Sequence, residues 1–97
     1  MAINVSLVNY TDQGIRNIKE APQRRQRAME LAQQCGCEIK AVFQTMGPYD
    51  LAVRVEAPDD ESIARLALSI GAQGNLRTLT MKAFPAEDFE RIIGALV

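Results

Sequence analysis

Side chains that alternate apolar and polar with a period of two residues mark four stretches of the chain as strands, because successive residues of a strand face opposite ways. In the first, Ile3, Val5 and Leu7 alternate with Asn4, Ser6 and Val8, and the pattern runs to about Tyr10. Ile39, Ala41 and Phe43 mark a second strand within Glu38 to Thr45, and Leu51, Val53 and Val55 a third within Tyr49 to Glu56. Leu79, Met81 and Ala83 alternate with Thr78, Thr80 and Lys82 in the fourth. Three other stretches repeat at three and four residues, the spacing of one helix face. Ala28, Leu31, Ala32 and Cys35 make one stripe, Ile63, Leu66, Ala67 and Ile70 another, and Phe89, Ile92, Ile93 and Leu96 a third, each expected to face inwards. Arg24, Arg25, Arg27 and Glu30 fall mostly off the first stripe and are expected on a solvated face.

Punctuating residues separate these elements. Thr11 or Asp12 suits the cap of a short helix carrying Ile15 and Ile18, which Gly14 weakens. Pro22 fits the first turn of the next helix, where its missing N–H is no loss, and Gly36 ends it. Asp59, Asp60 and Glu61 follow Pro58 where the helix dipole favours negative charge, and Pro85 opens the last helix. The sharpest turn is Met46-Gly47-Pro48. Keeping the apolar sides of its two flanking strands together requires odd-numbered residues to pair with odd-numbered ones. The tightest such loop is Met46-Gly47-Pro48 itself, pairing Thr45 with Tyr49, Phe43 with Leu51 and Ala41 with Val53.

The order strand, helix, strand, strand, helix, strand, helix predicts a single α+β domain over residues 1–97. Its arrangement is a ferredoxin-like split βαβ, an antiparallel sheet with helices on one face. The oily strand sides are expected beneath the helices. The other face then carries Asn4, Ser6, Val8 and Tyr10, then Lys40, Val42 and Gln44, then Asp50, Ala52 and Arg54, then Thr78, Thr80 and Lys82. Apolar positions ringed by hydrogen-bonding groups suit a surface that meets another sheet or encloses a small molecule. The candidate ligand contacts are Tyr10, Lys40, Gln44, Asp50, Arg54, Thr78, Thr80 and Lys82. Asp50 has two readings: a carboxylate that orients a ligand or acts as a base, and one that bonds backbone or an ion-pair partner beside the turn.

Charge and composition remove several classes. Eleven basic and 12 acidic residues leave a net charge of −1, which offers no global field for nucleic acid or anionic lipid. With no secretory pattern at the start and no stretch approaching bilayer length, a cytoplasmic location is expected. Cys35 and Cys37 flank Gly36 with neither redox nor zinc spacing and are expected to pack. The absence of histidine argues against a nitrogen-ligated metal, and no cofactor is expected. The loop Gly71-Ala72-Gln73-Gly74-Asn75 leaves a helix and feeds a strand, the reverse of a phosphate cradle.

Three separated segments carry a resemblance. Gly47-Pro48-Tyr49-Asp50, together with Thr11 to Lys19 and Gly74-Asn75-Leu76-Arg77-Thr78, is similar to the GYD-domain family, named for a Gly-x-Tyr-Asp motif. The resemblance implies a dimeric α/β barrel and brings no catalytic residues with it. Two functions are consistent with such a fold. One is a module that forms homodimers or higher homo-oligomers through its open sheet face, with or without a small molecule sheltered there. The other is a cofactor-independent enzyme, of the small monooxygenase or isomerase type, using the same cavity. The lack of histidine and of a nucleophile–base pair favours the module.

Overall fold

A computed structural model describes all residues, 1–97. The chain forms β1 (Ala2–Tyr10), α1 (Asp12–Arg16), a 3-10 turn (Ile18–Glu20) and α2 (Ala21–Gln34). It continues through β2 (Glu38–Gln44), β3 (Leu51–Ala57), α3 (Asp60–Gly71), β4 (Leu76–Ala83) and α4 (Ala86–Gly94). The strands lie in the order β2-β3-β1-β4 with every neighbouring pair antiparallel, the ferredoxin-like arrangement that the order of elements predicts. Helix caps follow local chemistry. The Thr11 hydroxyl accepts from Gly14 N–H at 3.1 Å, and the Asp59 carboxylate accepts from Ser62 N–H at 2.8 Å, each satisfying an early helical donor. Hydrogen bonding from the Ser62 side chain and then its backbone holds the Asp59 carboxyl below its ordinary value.

The core is small. Ala32, Cys35, Cys37, Val55, Ala57 and Leu66 are buried together, with Leu31, Ile39, Val53, Ile63 and Ile70 packed around them. Both cysteines are buried thiols; burial, then the neighbouring Cys35 and Asp59, pushes the Cys37 thiol up, away from the reactive thiolate.

Which side of each strand the helices cover differs from the expectation for β1, β4 and half of β2. Direct cross-strand partners share a face, so the register builds both surfaces row by row. Under the helices lie the rows Ile39–Val55–Asn4–Lys82, Val42–Val53–Ser6–Thr80 and Gln44–Leu51–Val8–Thr78. The open face carries Glu38–Glu56–Ile3–Ala83, Ala41–Arg54–Val5–Met81 and Phe43–Ala52–Leu7–Leu79. The oily phase of β1 and β4 thus points away from the helices, and polar Asn4 and Ser6 are buried beneath them. Ser6 is accommodated because its hydroxyl bonds that of Thr80 at 3.0 Å, and no buried side-chain nitrogen or oxygen lacks a partner.

The hairpin register departs from expectation for a separate reason. Ile39 pairs with Val55 but Ala41 with Arg54, so Lys40 is an extra residue, a β-bulge. Beyond it Val42 and Gln44 turn towards the helices, while Ala41 and Phe43 turn to the open face. Gln44 pairs with Leu51 rather than Phe43 doing so, and the loop spans residues 45–50, with Gly47 at φ 135°.

Helix α4 also departs from expectation. Phe89, Ile93 and Leu96 are 57%, 49% and 72% exposed, so its apolar stripe has no place in this core. The chain is correspondingly extended. Its radius of gyration is 14.6 Å, against about 12.5 Å for a compact domain of this length.

Candidate functional site

A cavity of about 160 Å³ opens between the covered sheet face and helices α2 and α3. Val8, Val42, Leu51 and Val53 from the strands, with Ile63, Leu66, Ala67 and Ile70 from α3, give it an apolar wall. Ser6, Gln44, Thr78 and Thr80 add polar groups, and α2 contributes Ala21, Arg24, Arg25 and Ala28. Helix α2 lies along the sheet. Its C-terminal residues Ala32 and Cys35 join the core beside Val55 and Ala57, so its N-terminal arginines belong to the opposite end, with Gln44, Val8 and Thr78.

Of the eight candidate contacts, four line this cavity: Tyr10, Gln44, Thr78 and Thr80. They do so on the helix-covered face, not on the open one. The Tyr10 hydroxyl reaches across β3 and donates to Gln44 Oε1 at 2.8 Å. Lys40, Arg54 and Lys82 go elsewhere. Lys40 sits at the bulge, its ammonium 3.1 Å from Glu38, and Arg54 lies on the open face, 3.8 Å from Glu56. Lys82, on the covered face at the far end, ties β4 to the first turn of α3 through Asp60 at 3.1 Å. These are exposed pairs of small energetic weight.

Asp50 bonds backbone beside the turn. Its Oδ2 accepts from the Tyr10 N–H at 2.9 Å, its own N–H donates to Val8 O at 2.9 Å, and its carbonyl accepts from Thr45 N–H at 2.8 Å. The side chain thereby carries the β1–β3 ladder past the end of β3, and it is a positioning group for Tyr10.

The end of β1 is held from the other side as well. Thr11 N–H donates to Asn75 O at 3.0 Å, the Thr11 hydroxyl donates to Gly74 O, and Gln13 Nε2 donates to Asn75 Oδ1 at 2.9 Å. Gly14 permits this approach, since a Cβ there would overlap the Asn75 carbonyl. Gly74 turns the loop at φ 84°. The segments around Thr11, Asp50 and Asn75 therefore converge on Tyr10, at the cavity's polar end.

The GYD domain profile matches residues 5–93. The chain belongs to the GYD domain family. A relative from Thermus thermophilus, named "Glutamine synthetase and cystathionine beta-lyase binding protein", is 32% identical over 85 residues, 87% of this chain and 90% of the relative. A crystal structure of TTHA0845 from the same organism shares the fold, with a TM-score of 0.57 at 24% identity over 89% of this chain and 96% of that one.

In this GYD domain, sequence reasoning missed Arg24 and Arg25 as cavity residues. The signal was present: counting back three and four from Ala28 along the inner stripe gives Arg25 and Arg24, so they continue it instead of leaving it. Arg24 donates to Gly14 O at 3.2 Å and Asn17 O at 3.0 Å. No histidine, cysteine or carboxylate lines the cavity, and no group of three or more such side chains converges to hold a metal. No helix is long and apolar enough to cross a membrane.

Proposed function

We propose that this GYD domain is a protein-binding module that pairs with a second copy of itself, open sheet face against open sheet face, as a dimeric α/β barrel. The observation that carries the reading is the apolar content of that face, where Phe43, Leu79 and Met81 are 62%, 49% and 43% exposed beside Ile3, Val5 and Leu7. Four strands about 4.8 Å apart and about seven residues long present roughly 440 Å² in projection. That whole face, its charged corner included, is comparable in size with the biggest apolar patch a monomer usually leaves, about 300–600 Å². A standard interface buries roughly 800 Å² per partner. A twofold operator brings the same patch to itself, and sheets pack in this way about 10 Å apart. The charged corner, Lys40 with Glu38 and Arg54 with Glu56, is neutral within itself and so does not oppose pairing.

The Thermus relative is named for binding two enzymes, which supports a module that holds other proteins. The cavity wall points the same way, because it offers neither imidazole, carboxylate nor thiol as a general base. The test is multi-angle light scattering at micromolar concentration. The wild-type protein is expected at twice the chain mass or a multiple of it. Met81→Lys is expected at the monomer mass, with unchanged circular dichroism. A monomeric wild type, or an unaltered oligomer in Met81→Lys, overturns the reading.

A further inference from the structure

The cavity lies on the side of the sheet away from the open face, so whatever it takes is independent of pairing. We propose that it is a binding site for a small organic monocarboxylate whose apolar body is about the size of a benzene ring, with Arg25 receiving the carboxylate. The volume sets the body. A dry apolar cavity of about 150 Å³ takes up benzene, and this one is about 160 Å³ with Val8, Leu51, Val53, Leu66 and Ile70 in its wall.

The charge sets the head group. Arg24 and Arg25 are the only charged residues lining the cavity, and neither has an acid within ion-pair distance. Arg24 is committed to the carbonyls of Gly14 and Asn17. Arg25 has no hydrogen-bond partner within the chain, and its planar fork of donors matches a carboxylate. Two neutral donors stand at the same end. Gln44 Oε1 accepts from Tyr10, which leaves the Gln44 amide N–H groups to give, and the Thr78 hydroxyl makes no bond within the chain. Deeper in, the Ser6 and Thr80 hydroxyls satisfy each other and ask nothing of a ligand. An ammonium would meet like charge at the mouth and a hydrocarbon floor behind it.

Three probes of one shape separate body from charge: benzoate, benzyl alcohol and benzylamine. Each is titrated into the wild-type protein, Arg25→Gln and Ala67→Leu, following backbone amide chemical shifts. Saturable shifts at Val8, Ala67 and Thr78 are expected with benzoate, which should bind about tenfold more tightly than benzyl alcohol, the usual worth of a charge-assisted hydrogen bond. Benzylamine should not bind. Arg25 is exposed, so Arg25→Gln should fold normally, lose the benzoate advantage and keep benzyl alcohol unchanged. Ala67→Leu fills the cavity and should abolish both. No saturable shift in the wild type, equal affinity for benzoate and benzyl alcohol, benzoate binding unaltered in Arg25→Gln, or Ala67→Leu binding like the wild type each overturns the proposal.

Discussion

The two faces of the sheet contradict the usual sorting of oily and polar residues. On β1 the helices cover Asn4, Ser6 and Val8, while Ile3, Val5 and Leu7 are turned outwards. The β3 positions Leu51, Val53 and Val55, with Ile39 of β2, sit where their hydrophobicity suggests. The difference has a physical logic. Small polar residues that bond one another, as Ser6 and Thr80 do, are tolerated next to a cavity, whereas a tightly packed core would have demanded larger apolar groups. The outward face has no helix of its own, so its burial depends on another surface.

The sharpest way to break this comparison is to place one charge on each face. Val55→Asp puts an unpaired carboxylate into the core, where Val55 is only 4% exposed. It should lower unfolding stability by about 3–5 kcal/mol in urea titration, through lost packing and uncompensated charge. A lysine at Met81, on the open face, should leave the midpoint measured under monomeric conditions nearly unchanged. If the two substitutions destabilise the monomer equally, the faces do not differ as described.

A smaller effect isolates the polar end of the covered face. Gly14→Ala drives a methyl group into the Asn75 carbonyl and forces α1 and the loop before β4 apart. A loss of about 1–3 kcal/mol is expected from such overpacking. It should come with shifted amide resonances at Tyr10 and Thr11 and no change in oligomer mass. A loss of oligomer would mean that the clasp supports the open face too.

The smallest effect concerns acid. Because hydrogen bonding depresses the Asp59 carboxyl in the folded state, its contribution is fully present above the ordinary carboxylate value of 3.8 and is lost as pH falls through the lower folded value. Asp59→Ala should reduce the melting temperature at neutral pH, and its difference from the wild type should narrow below that range. A constant difference across the acid range would remove the cap's ionic part.

Much of the fold was legible because it depends on local chemistry. The stripes at Leu31 and Ala32 and at Ile63 and Leu66, and the helix starts at Thr11 or Asp12 and after Pro58, follow from spacing and short-range chemistry. What alternation cannot supply is a sign. It says that Ile3, Val5 and Leu7 share a face, not whether the helices cover that face, which depends on how β1 registers against β3. The bulge at Lys40 was hidden for a related reason: Ile39, Ala41 and Phe43 mimic a regular strand. Half of the candidate site came together because Tyr10, Gln44, Thr78 and Thr80 share one face. Of the others, Lys40 is lost to the bulge, Arg54 stays on the open face because the phase of β3 is not reversed, and Lys82 moves to the covered face but at its far end. The stripe on α4 was read correctly as apolar, but periodicity carries no information about whether its partner lies in the same chain.

The bulge also bears on growth. β2 is an edge strand, and an unpaired strand edge is a template on which another chain can add and then another, without limit. One extra residue in the middle of that edge breaks the regular row of backbone donors and acceptors, and the residue inserted is a lysine. Ribbon-like polymerisation is thereby obstructed along this border, whereas the closed, self-limiting pairing proposed for the open face is a form of association that the bulge leaves unhindered.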